Sequence, residues 1–173
     1  MAAEQLPDLL LWALPVLFVA HDAEEALFLP SWLGRNRNFL RRRFPRMADW
    51  TDRAASLSRS RFACMAAEEL ALLLLVTAYA FISHDYYPWL ALFLAFALHL
   101  AGHLVQWAVV GRIFPAVVSS IPALAVCGWM LHRLIVSRVF DLREYLLCGV
   151  SGAVVAALNL WLLHAVAGTF RRR

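Results

Sequence analysis

Five consecutive residues carry most of the chemistry available to this chain: His21-Asp22-Ala23-Glu24-Glu25. His21, Glu24 and Glu25 stand at i, i+3 and i+4, so on a helix they share one face. His99 and His103 stand at i and i+4 and do the same, with Gln106 continuing their face. Glu68 and Glu69 are adjacent, about 100° apart on a helix, so one of the two points inward with the others. Asn159 and His164 complete the set. Neutral imidazole with carboxylate is a donor set for zinc, iron or manganese, and helix bundles build such sites from inward carboxylates and helically spaced histidines. The expected ligands are His21, Glu24, His99 and His103, with Glu68 or Glu69 for a second ion or in a supporting role. Glu25 is the first choice of general base, and Glu24 and Glu25 can exchange roles. Asn159, His164 and Gln106 are expected to support the ligands from behind. These donors exceed the needs of one ion, so one or two divalent transition ions are expected, with zinc favoured over iron.

These residues are presented by a strongly apolar chain. Of 173 residues, 62% are hydrophobic, against about half in an ordinary globular domain. There are 16 arginines, no lysine and 12 acids. That composition excludes a disordered chain and a disulfide scaffold, and the apolar runs are too long for a soluble nucleic-acid-binding fold. Five stretches reach the roughly 20 residues that a helix needs to cross a bilayer: about 8–33, 62–83, 88–110, 115–137 and 145–168. Pro7, Pro88 and Pro115 open three of them, while Pro30 with Gly34, Gly111 and Gly168 are expected to close others. Only helices and closed barrels span lipid, and the runs lack barrel alternation. The expectation is an all-α integral membrane bundle of five transmembrane helices in a single domain, 1–173.

Arginine placement sets the orientation. The connection 34–61 carries nine arginines, and with Arg112 and Arg171, Arg172 and Arg173 one side of a five-helix chain holds thirteen. The other side has Arg133, Arg138 and Arg143. The positive-inside rule puts the N-terminus outside and the C-terminus in the cytoplasm, in a multi-pass protein of a cytoplasmic membrane. Within 34–61, Met47, Trp50, Ala54 and Leu57 recur at helical spacing, which predicts an amphipathic helix on the membrane surface. Arg41, Arg42 and Arg43 beside it suit anionic lipid head groups, unless they serve as a topology signal alone. Cys64, Cys127 and Cys148 lie in separate spans and read as buried free thiols.

Asp22, Glu24, Glu25, Glu68 and Glu69 lie inside the predicted spans with no arginine inside a span to match them. Each ionised group at mid-bilayer costs roughly 2.5–3.5 kcal/mol even on a lenient scale, so protons, histidinium, water or a bound cation must compensate. At 1.5 Å per residue from the cytoplasmic ends, Glu24 and Glu25 fall ~12–14 Å deep, Glu68 and Glu69 ~9–11 Å, His103 ~10 Å and Asn159 ~14 Å. His21 and His99 fall ~17–18 Å deep and His164 ~6 Å. The polar groups of several helices thus meet in one layer. Taken separately, Asn159 and His164 read as interhelical hydrogen-bonding groups, as do Ser119 and Ser120. His84 and Asp85 read as interfacial, and His132 as snorkelling beside Arg133.

His21-Asp22-Ala23-Glu24-Glu25 in a first membrane helix, followed by His99-x-x-x-His103 in a later one, resembles the HXXEE family of bacterial integral membrane proteins. By length and span layout the resemblance covers nearly the whole chain. It implies roles for His21, Glu24, Glu25, His99 and His103 in a metal-dependent enzyme and brings no substrate with it. A looser similarity is to glutamate-type intramembrane proteases, in which an arginine follows the paired glutamates by four residues. Here Leu29 or Leu73 holds that position, so the similarity is one of chemistry. The expected function is a membrane-embedded metal-dependent hydrolase acting on a lipid-like or amphipathic substrate in the cytoplasmic half of the bilayer. The alternatives are a di-iron oxidoreductase acting on a lipid or isoprenoid chain and a cation or proton transporter.

Overall fold

The computed structural model describes the backbone of residues 6–56 and 58–169, and the side chains of these apart from Trp50 and 164–169. It is all-helical, with no strand among the described residues. The helices are α1 (Asp8–Arg43), α2 (Ala48–Ala55), α3 (Arg59–Ser83), α4 (Tyr87–Val110), α5 (Val117–Val136) and α6 (Leu142–Thr169), with one 3-10 turn at Pro45–Met47. Four helical segments are long and apolar enough to cross a membrane: Arg59–Ser83, Tyr87–Val110, Val117–Val136 and Leu142–Leu163. Their outward faces expose Leu75, Ile82, Val118, Leu142 and Trp161, which lipid covers without penalty and water would not. This is the profile of a multi-pass membrane protein.

The first helix departs from expectation. Instead of stopping at Pro30 and Gly34, α1 continues through both and ends at Arg43. A proline removes one helical hydrogen bond, and in a membrane bundle neighbouring groups can take up the freed carbonyl. Pro15 illustrates how. It cannot donate to Leu11, and the buried indole of Trp89 on α4 donates to the Leu11 carbonyl at 3.2 Å. The helix stops one residue before Pro45, where Phe44 turns to φ −131°, ψ 68°, as the residue before a proline is driven out of the helical region.

The basic connection is consequently shorter than the sequence suggested and is tied down. Its one α-helix is α2, eight residues long, on which Thr51 is buried and Ala54 partly so; the side chain of Trp50 and all of Leu57 lie outside the described residues. Asp52 pairs with Arg37 at 2.6 Å and Arg41 at 3.3 Å, folding α2 back onto α1. The Arg37 hydrogen bond holds the Asp52 carboxyl below the ordinary carboxylate range. Arg59 donates to Ser31 at 2.8 Å, and Arg112 donates to Asn36 at 3.0 Å while stacking 3.7 Å over Phe39. Arginines expected to report topology thus also clasp the projecting end of α1.

Helices α1 and α4 form the centre, α3 and α5 pack against both, and α6 leans on α4. A Cβ on Gly152 would come within 2.1 Å of the Ala91 carbonyl oxygen, so only glycine permits this close α4–α6 approach. The two ends of the bundle differ. Toward the start of α1 and α4, Leu10, Leu11, Leu14, Trp89, Phe93 and Met130 make a dry apolar core. Toward the other end the interior opens into a cavity of about 560 Å³. Cys127 and Cys148 are buried free thiols, but Cys64 is exposed, because the start of α3 turns that face outward.

Candidate metal centre

Four side chains converge where α1 and α4 cross. His21 and Glu25 come from α1, one turn apart, and His99 and His103 from α4, also one turn apart, so each helix contributes an i, i+4 pair. One ligand atom from each lies within 4.8 Å of all the others, and the group can hold a metal ion. His99 Nε2 is 3.3 Å from His21 Nε2 and 3.0 Å from His103 Nε2. Glu25 Oε1 is 3.2 Å from His103 Nε2. His21, Glu25 and His103 are buried, and His99 and His103 also face the cavity. Phe96 packs against the His21 ring and Phe114 against that of His103, each with ring centres 6.0 Å apart, limiting how the imidazoles can turn.

The outer nitrogens decide what the inner ones present. Gln106 Oε1 lies 3.1 Å from His103 Nδ1, and since a carbonyl oxygen only accepts, Nδ1 carries the proton and Nε2 keeps its lone pair. Ser119 Oγ lies 2.9 Å from His21 Nδ1, and in the tautomer that donates to Ser119 the ring again keeps its Nε2 as a lone pair. Inward-facing Nε2 atoms and a carboxylate oxygen thus meet acceptor to acceptor. One proton on His99 Nε2 would satisfy one neighbour only, whereas a central cation satisfies all four. Outer partners that fix the histidine tautomer in this way are typical of metal ligands.

The two adjacent glutamates of α1 exchange their expected places. Glu25 joins the histidines, whereas Glu24 Oε2 accepts from the Ser119 backbone N–H at 2.8 Å. Ser119 is the third residue of α5, and Glu24 supplies the acceptor its free amide needs. The turn preceding it is strained, with buried Ala116 at φ 85°. Glu24 is thus a tie between α1 and α5, outside the four-residue cluster. Of the α3 pair, Glu69 lines the cavity, and exposed Glu68 accepts from Asn159 Nδ2 at 3.1 Å. Neither belongs to the cluster, because α3 stands across the cavity from it. Gln106 supports His103 as expected, Asn159 contacts Glu68 rather than a ligand, and the side chain of His164 lies outside the described residues. Arg41 is engaged with Asp52, while Arg42 and Arg43 are exposed and share a shallow hollow with Arg112.

Two participants had no assigned role in the sequence. Asp22 follows His21 directly and so falls off its helical face, yet it is buried and lines the cavity beside Glu25, because α1 is covered on that side too. Ser119 was expected to hydrogen bond somewhere. Its position early in the helix after Pro115 was the available signal, but its partner on α1 was not legible. A family model described as "Protein of unknown function with HXXEE motif" matches residues 12–130, a stretch that contains all four cluster residues, Gln106 and Ser119. No curated protein and no solved structure matches the chain.

Proposed function

The chain belongs to the HXXEE family, and on that premise we propose that it is a membrane-embedded metal-dependent hydrolase whose ion is held by His21, Glu25, His99 and His103. The observation carrying this reading is the inward convergence of three imidazole Nε2 atoms and one carboxylate oxygen, with Ser119 and Gln106 against the outer nitrogens of His21 and His103. Zinc is favoured, because a tetrahedral ion with bonds of ~2.0–2.1 Å keeps its ligand atoms ~3.3 Å apart. Three of the six separations here are 3.0, 3.2 and 3.3 Å, and all six stay within 4.8 Å. When bound, the ion would supply Lewis acidity, and it would lower the pKa of a water by admitting it beside the four protein ligands. Glu69, reaching the cavity from α3, takes the proton of the attacking water and returns it to the leaving group. The Asp22 carboxyl, on the same wall as Glu25, orients that water.

The reading includes α1 as a fifth crossing, with the N-terminus outside and the C-terminus cytoplasmic in a cytoplasmic membrane. At 1.5 Å per residue, the 36 residues of α1 extend ~54 Å, well beyond a ~30 Å hydrocarbon core. The surplus is the arginine-rich end Arg35–Arg43, which the positive-inside rule leaves in the cytoplasm, with Arg42, Arg43 and Arg112 against anionic lipid. Elemental analysis of the purified protein tests the proposal. One equivalent of zinc is expected in the wild type and none in His99→Ala, with both proteins equally helical. Metal-free wild-type protein overturns it. A second reading draws on the carboxylates of Asp22, Glu25 and Glu69 around one cavity, a donor set rich enough for two irons. Bound iron with an oxygen-dependent absorbance change would put that oxidoreductase in place of the hydrolase.

A further inference from the structure

The cavity beside the cluster has a shape and charge of its own. Its volume of about 560 Å³ lies within the ~300–1,000 Å³ typical of small-molecule sites. Most of the wall is apolar, with Phe18 and Leu29 from α1, Phe62 and Met65 from α3, and Val109 and Val155 from α4 and α6. Polar groups concentrate near the histidines. Three of them are the carboxylates of Asp22, Glu25 and Glu69, and no arginine lines the cavity among the described residues. Even with a divalent ion held on Glu25, three ionised carboxylates leave this region at −1, so an anionic group brought there would meet like charge at a depth where an unmatched charge is costly.

The wall is weakest between α3 and α6. Helix α6 packs on α4, and α3 packs on α1 and α4, but among the described residues α3 and α6 lack an extended packing surface with each other. They meet through the Asn159–Glu68 hydrogen bond. Both helices are among the segments apolar enough to cross a membrane, so the seam between them faces lipid. One hydrogen bond between an exposed and a half-buried side chain is worth about 1 kcal/mol net, a slight barrier to separation.

We propose that this cavity receives one aliphatic chain of an uncharged amphiphile, an ester or amide or the alcohol released from an ester, laterally from the bilayer between α3 and α6, and excludes carboxylate and phosphate ends. This rests on the hydrolase reading and names its substrate class. The test uses two photolabels of the same chain length, a diazirine-tagged long-chain alcohol and the corresponding carboxylate, with wild-type protein in lipid nanodiscs and labelled peptides mapped by mass spectrometry. The alcohol should label cavity-facing residues of α3 and α6, such as Met65 and Val155, and the carboxylate should label only outward faces. Ala66→Trp and Ala156→Trp fill the cavity from its two sides, and each should abolish cavity labelling by the alcohol while the metal content, measured on the same samples, certifies an intact bundle. Equal cavity labelling by both probes overturns the charge selection, and labelling of outward faces alone overturns the cavity site. Because labelling needs no turnover, wild-type protein that is labelled in the cavity but lacks metal would sink the hydrolase reading alone. Metal without cavity labelling would sink this inference alone.

Discussion

At the scale of single residues, the centre is organised by groups that never touch its middle. Ser119 and Gln106 each lie against an outer imidazole nitrogen, and a hydrogen bond accepted there turns the ring's lone pair inward. Removing such a partner typically weakens metal binding 10–100-fold. Ser119→Ala and Gln106→Leu should therefore each lower zinc affinity by about 10–100-fold in a chelator competition, whereas Asn159→Leu should leave it unchanged. The kinds of residue at this centre, and their spacing along each helix, were legible in the sequence. Which of two neighbours enters was not. Glu24 and Glu25, like Glu68 and Glu69, differ by about 100° around a helix, and the rotations that select Glu25 and Glu69 are set by packing of α1 against α3, α4 and α5 and of α3 against α1 and α4, to which helical periodicity is blind.

At the scale of helices, prolines were misleading for a related reason. Pro30 reads as a stop signal, yet α1 runs past it, since a neighbouring helix can supply what a proline removes. The compensation at Pro15 can be measured. Trp89→Phe takes away the donor to the Leu11 carbonyl and should destabilise the bundle by about 1–3 kcal/mol in a denaturation titration. In a Pro15→Ala background residue 15 regains its own N–H, and the same substitution should cost less. A coupling energy of about 0.5–1.5 kcal/mol in that double-mutant cycle is expected; strict additivity would refute the compensation. Gly111, by contrast, was legible as an end, because its φ of 74° at the C-terminus of α4 suits glycine and few other residues.

At the scale of the molecule, the bundle separates support from chemistry. A dry core at one end holds the crossing of α1 and α4, and the polar groups gather at the other end, where the helices leave room. The layer of polar residues was foreseeable from depth along each span. The cavity was not, since it depends on α6 leaning on α4 while standing clear of α3. Gly152 controls that arrangement. Gly152→Leu should displace α6 and abolish cavity labelling by the uncharged photolabel, yet leave the zinc content intact, because none of the four cluster residues found among the described residues lies on α6. Loss of zinc in this variant would mean that α6 is needed to hold the ion.

That independence also has a meaning in time. His21, Glu25, His99, His103 and Ser119 have all been synthesised before the ribosome reaches Leu142, the first residue of α6. At roughly 5–20 residues per second, the interval from Ser119 to that point is on the order of seconds. Chain order thus delivers the cage residues to the membrane before α6 emerges, in a cleft that still lacks this wall. Ion capture can precede docking of the last helix, and the order of synthesis separates loading the ion from sealing the chamber beside it.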